Sequence, residues 1–373
     1  MTISIKLVTP IAAHTNSWDA FLPEGHHLKM RHLLPLEHAQ IPDIENNYVQ
    51  IFLKDKLIGL AYLQLFKFTH TNLNFDNPSG LQSRAIKFIL PKKLYLLICG
   101  NLFRINFQGF YFKNEQHNHF IFNAIELFVK QNKKLKPSGI IIKDCKEVFV
   151  EESYTASNYH FFNGDVTMEI TRRQHWNTFE DYLNDLTKKY VKRAKKIIQA
   201  FNGVVTKELS ALEILGNAAA IDQLYWHVVN RQQVRLGTVN AAYLYELKLD
   251  LEQRFELHAL YLNNVMIGFY TYIFYNNEME THYIGLDYRY NDTHKIYFNI
   301  LFLSVQKMIE RKYEKLELGR TAKEAKANLG AFPKQIYNYI KVKNPFAKIA
   351  LRYFLKRFNQ SENQKKLERS PLK

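Results

Sequence analysis

The chain has 373 residues, 47% of them hydrophobic and 14% aromatic, and carries a formal charge of +16. That is more apolar material than one compact core usually holds, so two domains of ordinary size are expected and a largely disordered chain is excluded. No apolar run approaches the 18 residues of a membrane span, the start MTISIKLVTPIAAHTNSWDA lacks the features of a secretory signal, and Cys99 and Cys145 have neither zinc nor disulfide spacing; a cytoplasmic location is expected.

The first half reads as mixed α and β. Residues 47–66 (NYVQIFLKDKLIGLAYLQLF) form two apolar strands around the polar turn Lys54-Asp55-Lys56, which is a hairpin pattern. A strand at 94–100 follows, then a glycine-bearing segment at 101–112, a helix at 116–131 and a strand at 139–145. Asn101 and Gly109 lie in the glycine-bearing segment, where they shape a pocket or a turn; Asn101 can equally bond to its own backbone. Residues 146–170 are irregular until VTMEI begins another strand, and the join between halves is expected there.

The second half opens with a helix over 177–197, capped by Asn177 with Glu180 three residues on. Six basic residues, Lys192 among them, fall within 185–196 and mostly off the apolar stripe; Trp176, just ahead, is expected to pack against the protein. Ser210 and Glu213 repeat the capping pattern before a helical stretch that reaches Asn230. Three strands follow within 254–287, turning at Asn263-Asn264 and Asn276-Asn277, then a helix at 293–312, a strand at 315–318, a short helix ending near Gly330 and a last strand at 335–343. Residues 344–360 have apolar and basic residues at helical spacing, which suits either an anionic membrane surface or a cover for the protein's own core. The last residues, 361–373, read as a mobile tail.

The order of elements in the first half recurs in the second, which predicts an α/β (mixed α+β) chain with a duplicated domain, divided as 1–160, 161–343 and 344–373. From Lys341 onward there are ten Lys or Arg against two Glu, and with the cluster at 185–196 this makes the charge patchy. Such patches fit nucleic acid, anionic lipid or a phosphate-rich donor, or are simply solvated. No H-E-x-x-H or Cys/His ligand spacing occurs, so no metal site is expected.

The segments 175–196 (HWNTFEDYLNDLTKKYVKRAKK), 282–287 (HYIGLD) and 318–333 (LGRTAKEAKANLGAFP), with 99–112 (CGNLFRINFQGFYF) in the first half, resemble bacterial proteins made of two GNAT-type acyltransferase folds. These are the Fem-type peptidoglycan-bridge aminoacyltransferases and their BioF2-like, or peptidoglycan-biosynthesis acetyltransferase, relatives. The resemblance implies tandem GNAT folds, each a twisted mixed sheet flanked by helices. In such folds two parallel strands splay to admit an acyl carrier, and the next helix directs its amides at phosphate. The usual glycine-bearing pyrophosphate loop is replaced here by 287-DYRYNDTHKIY-297.

The resemblance implies an acyltransferase with no tightly bound cofactor. It would move an acyl or aminoacyl group from acyl-CoA or acyl carrier protein to an amine of a small, envelope or lipid-related acceptor. Two alternatives stay open: a Fem-type enzyme with aminoacyl-tRNA as donor, and a non-catalytic module that has lost donor binding.

Direct transfer needs a positioned amine, a proton acceptor and help for the leaving group. His282 is the candidate base and Asp287 a carboxylate that orients the amine. Tyr297 is placed to protonate a leaving thiolate. On a regular strand His282 and Tyr283 face opposite ways, so both reach one pocket only through a bulge. Arg320, at the carboxyl end of a strand, suits a two-pronged hold on a carboxylate or phosphate, or an internal ion pair. Thr321 with Glu324 reads as a capping box, Lys326 is expected to add charge to the cleft or to face solvent, and Lys192 and Asn101 complete the candidate binding residues.

Overall fold

The structure is a computed structural model describing residues 2–9, 15–69, 72, 93–232, 235–343 and 371–373. The amphipathic segment 344–360 and all but the last three residues of the expected tail lie outside the described residues.

The first half runs β1 (Ile3–Leu7), α1 (Thr15–Phe21), α2 (Met30–His38), β2 (Ile44–Leu53), β3 (Lys56–Thr69), β4 (Lys93–Cys99), β5 (Phe110–Phe112), α3 (Phe120–Gln131), β6 (Gly139–Cys145), α4 (Glu151–Thr155) and β7 (His160–Thr171). Two helices, α5 (Phe179–Asp185) and α6 (Lys188–Ala200), then lead into a second run of similar order. It comprises β8 (Val205–Glu208), α7 (Ala211–Gly216), α8 (Ala218–Val229), α9 (Ala241–Leu251), β9 (Phe255–Leu262), β10 (Val265–Tyr275) and β11 (Glu278–Leu286). After these come α10 (Tyr288–His294), α11 (Ile296–Glu310), β12 (Lys315–Glu317), α12 (Lys323–Ala327) and β13 (Phe332–Val342).

The strands join in one sheet of order β1-β2-β3-β4-β6-β13-β7-β12-β11-β10-β9-β8, with β5 set against β3. The halves exchange their closing strands. β7, which starts at the expected division after residue 160 and completes the first run of elements, pairs with β12 of the second run; β13, which ends the second, pairs with β6 of the first. The two exchanged strands lie antiparallel to each other from Phe332 opposite Glu169 to Ile340 opposite His160. Tyr339 of β13 thereby sits fully buried in the first half's core, edge-on to Phe122 and Phe149, and its hydroxyl accepts a hydrogen bond from the Phe149 amide at 2.7 Å.

Local chemistry sets the hairpins. Lys54 and Asp55, and likewise Asn263 and Asn264, take φ between 48° and 62°, the left-handed geometry a two-residue turn needs to match strand twist. The capping box at Ser210 and Glu213 forms as expected, with Glu213 returning to the Ser210 amide at 2.8 Å. The other expected box is shifted by one residue: Thr178 with Asp181 caps α5, because Asp181 also binds the Asn177 and Thr178 amides. The helix expected over 177–197 is interrupted at Leu186, and the stretch to Asn230 at Asn217. The chain's end fills the first interruption: the Thr187 amide donates to the Pro371 carbonyl and the Lys373 amide to the Asp185 carbonyl, each at 2.8 Å. Residues 371–373 are therefore docked rather than mobile.

Glycine is required at one crossing. Gly109 lies against the end of β4, where an added Cβ would come within 2.2 Å of the Gly100 nitrogen. Both backbones are held there by Tyr62, whose amide donates to Gly109 O at 2.7 Å and whose carbonyl accepts from Gly100 N at 3.2 Å. Gly109→Ala is expected to lower the urea unfolding free energy by about 1–3 kcal/mol, the usual cost of forced overpacking; an unchanged midpoint would contradict this crossing.

Candidate functional site

Among the described residues, parallel pairing occurs at two places in the sheet, β4 with β6 and β11 with β12. Each is a point where neighbouring strands part. In the first half the notch is closed by the chain's own residues. Lys143 donates from its Nζ to the carbonyls of Asn101 at 2.8 Å and Arg104 at 3.0 Å, and Asp144 accepts from the Phe107 amide at 3.1 Å.

In the second half no strand closes the notch. Among the described residues β11 pairs with β12 only from Glu278 to Glu280 and runs on to Leu286 with β10 as its one strand partner. Beyond Glu317 the chain follows β7, the Leu318 amide donating to Met168 O at 2.9 Å, and turns at Gly319 (φ 85°). Thr281 to Ile284 remain partly accessible on this free edge, although burial strongly perturbs His282 and Tyr283. They line the edge where β11 leaves β12.

A bulge in β11, where His282 and Tyr283 together oppose Thr271, shapes that edge. The register of β10 against β11 slips between Tyr270 and Tyr272, and Thr271 Oγ1 accepts the Tyr283 amide at 2.8 Å. With this bulge His282 and Tyr283 both reach one place, the carbonyl of Phe103, at 3.1 and 3.3 Å. A carbonyl only accepts, so Nε2 of His282 carries the proton and Nδ1 bears the lone pair. Burial, reinforced by the charge of Arg104, pushes this imidazole's pKa well below its usual range, so it stays neutral.

Arg104 was not anticipated from the sequence. It crosses from the first half to pair with Glu280 at 2.7 Å, both side chains almost fully buried. The available signal was a charge inside an aromatic segment, LFRINF, and another inside the strand EMETHY; neither shows that the two meet. Tyr243 of α9 was missed with its helix, although Asn240 caps that helix by accepting the Tyr243 amide.

The other expected residues fall in several places. Arg320 takes the internal ion pair, bonding Asp144 and, at 3.0 Å, Asp165. Lys326 does not face solvent; it is 3% exposed and donates to the Gly319 carbonyl at 3.1 Å, because the turn at Gly319 points that carbonyl at α12. The expected Thr321 cap is displaced: Ala322 (φ 49°) holds the N-cap of α12, and Thr321 is exposed. Asp287 caps α10 and is gripped by Arg289 at 2.6 Å, which holds its carboxyl below the usual range. Tyr297 begins α11, its amide bonded to Asn291 at 3.0 Å and its hydroxyl pushed up by burial. Asn101 is fully buried and bonds its own loop, accepting the Phe103 amide at 2.8 Å. Cys99 is a buried free thiol with its pKa raised by burial, unsuited to act as a nucleophile.

Residues 287–297, where the resemblance implies a glycine-bearing phosphate loop, form α10 with its Asp287 cap and the start of α11. Beside α10, α6 presents Lys188, Lys189, Lys192, Arg193, Lys195 and Lys196 to solvent. α6 is fixed to the start of α11 by the Asn299 side-chain amide, which donates to Ile197 O at 3.0 Å, and by Arg193 over the Phe298 ring at 5.3 Å. Among the described residues, Glu208, Glu256 and His258 bring potential metal-ligand atoms within 4.8 Å of one another. Lys307 at 3.1 Å and Arg311 already bind Glu256, however, and so neutralise the charge a cation would need.

No family model matches the sequence, and no curated protein matches it. Solved structures do. A tandem GNAT protein from the clavulanic acid biosynthesis pathway gives a TM-score of 0.52 at 8% identity, over 92% of this chain and 99% of that one. L-PGS from Bacillus licheniformis gives 0.50 at 12% identity, over 92% and 96%. FemX gives 0.49 at 11% identity, over 94% and 100%. At such identities the first two likenesses carry the fold alone: the chain has a tandem GNAT-like fold, a mixed sheet flanked by helices.

Glu317, at the parting of β11 and β12, is 3% exposed and accepts bonds from the Thr167 hydroxyl and, at 2.8 Å, the Gly319 amide. Burial still dominates and raises its pKa from 4.5 to about 7. The folded chain then holds this proton more tightly than the unfolded one. Stability is full below the unfolded value, falls as pH rises to the folded value and levels above it, a loss of about 3 kcal/mol. Glu317→Gln is expected to remove that slope in urea unfolding measured from pH 4.5 to 8; an unaltered slope would contradict the assignment.

Proposed function

We propose that this chain is an acyltransferase that moves an acyl or aminoacyl group from an activated carrier to an amine by direct attack. The observation that carries the reading is the open edge of β11 beyond Glu280, at the place where a GNAT fold admits the acyl-bearing arm of its donor. The amine nitrogen attacks the carbonyl carbon. A C–N bond forms, the bond from carbonyl to carrier sulfur or oxygen breaks, and the amine's proton passes to Nδ1 of His282, which is neutral and carries its lone pair there. The proton then leaves with the carrier's thiolate or alkoxide.

Two features bear on the donor. α10 fills the position of a phosphate-cradling loop and is capped by the anionic Asp287, which disfavours coenzyme A held by backbone amides. The six exposed cations of α6 favour a donor presented on a polyanionic carrier, either acyl carrier protein or aminoacyl-tRNA.

Purified chain, freed of nucleic acid, is to be incubated separately with acyl-CoA, acyl carrier protein and aminoacyl-tRNA pools, and retention read by native mass spectrometry. One carrier-borne class is expected to be retained, with retention falling at least ~10-fold in Lys189→Glu/Lys192→Glu/Lys196→Glu, whose changes are all exposed. Rejection of every class at tens of micromolar would overturn the reading in favour of a non-catalytic module. With the retained donor, His282→Asn is expected to lower kcat by about 100-fold or more, while donor retention stays unchanged.

A further inference from the structure

Where the first half's loop meets β11, three buried hydrogen-bonding atoms stand without partners among the described residues, and two of them have no part in the transfer chemistry. Glu280 and His282 are two residues apart on β11 and so share a face. Arg104 reaches that face from the first half, giving its Nε and one terminal nitrogen to Glu280. Its other terminal nitrogen, Nη1, is buried with no hydrogen-bond partner among the described residues. Tyr243, fully buried on α9, stands edge-on to the His282 ring with centroids 6.2 Å apart, and its hydroxyl is likewise unpartnered. Nδ1 of His282 is the third such atom. Arg104 is close enough for its charge to act on both Tyr243 and His282.

The three atoms differ in kind. Arg104 Nη1 is a donor, the Tyr243 hydroxyl donates or accepts, and Nδ1 of His282 accepts. Their surroundings carry no net charge, since Glu280 neutralises Arg104 and the imidazole is neutral. An isolated anion would meet a guanidinium already paired and a lone pair that repels it. A plain alkylamine would satisfy His282 and leave Arg104 and Tyr243 buried without partners.

We propose that these atoms form the acceptor subsite, and that it takes an amine with a carbonyl or carboxylate oxygen a few bonds away, as at the amino end of an amino acid or peptide. The oxygen accepts from Arg104 Nη1 and the Tyr243 hydroxyl, and the amine donates to His282 Nδ1. This selects molecules in which donor and acceptor lie close together. The assignment rests on the acyl-transfer reading and supplies the class of its acceptor.

The test uses the full chain without donor and titrates it with glycylglycine, ethylamine and acetate, reading heat and the ¹⁵N shifts of the histidine ring nitrogens. Glycylglycine is expected to bind at least ten-fold more tightly than either single-function probe and to shift one buried histidine, and Tyr243→Phe is expected to weaken it about ten-fold. Ethylamine or acetate binding as tightly, or unchanged affinity in Tyr243→Phe, would overturn the proposal. Should that variant fail to fold, the wild-type histidine shift decides: glycylglycine bound with no shift of a buried histidine also overturns it. A chain that retains a donor yet ignores glycylglycine refutes this subsite and leaves the acyl-transfer reading standing. A chain that binds glycylglycine through Tyr243 but rejects every donor supports the subsite and refutes acyl transfer.

Discussion

Everything at the centre of this molecule depends on the exchange of closing strands. β13 lies between β6 and β7, so two halves that could each have closed their own sheet complete each other's instead. The exchange brings carboxylates from both sides of the seam into one buried place, Asp144 on β6 and Asp165 on β7, and Arg320 from the second half binds both. Asn338 of β13 adds its side-chain oxygen to the Asp144 amide at 3.0 Å. Buried charges of this kind persist only when paired, and removing one partner leaves the other desolvated and alone. The ion pair therefore ties the register of the strands to the loop after β4, whose Phe107 amide Asp144 also holds.

The same seam makes two similar halves behave differently. Each contains a parallel pair of strands that part, but Lys143 and Asp144 hold the loop after β4 across the first notch. That loop does not end its work there: held in place, it sends the Phe103 carbonyl and Arg104 into the second notch. The first half thus supplies one wall of the second half's cleft. Neither half alone contains the constellation of Arg104, Glu280, His282 and Tyr243.

The parts of this fold visible in the sequence are those fixed by neighbours along the chain. Lys54-Asp55, Asn263-Asn264 and the Ser210 box announce their turns and cap because the residues that decide them are adjacent. The duplicated order of elements follows from the same local signals. Exchange of β7 and β13 has no local signature, since either strand pairs equally well with its own half on pattern alone. For the same reason Arg104 could not be matched to Glu280, 176 positions away. Lys326 looks like a surface lysine until Gly319, at φ 85°, turns a buried carbonyl toward it. His282 was legible as a candidate, but its meeting with Tyr283 at the Phe103 carbonyl needed the bulge in β11 opposite Thr271, which hydropathy does not reveal.

On the acyl-transfer proposal, the second half holds the donor and the first serves as its wall. Hydrogen exchange of the full chain, with and without a saturating retained donor, addresses it most directly. The account predicts added protection along 281–286 and at the start of α11, with the notch at 100–107 already slow to exchange and little changed. Protection that appears instead along β4 and β6, with 281–286 unaffected, would contradict it.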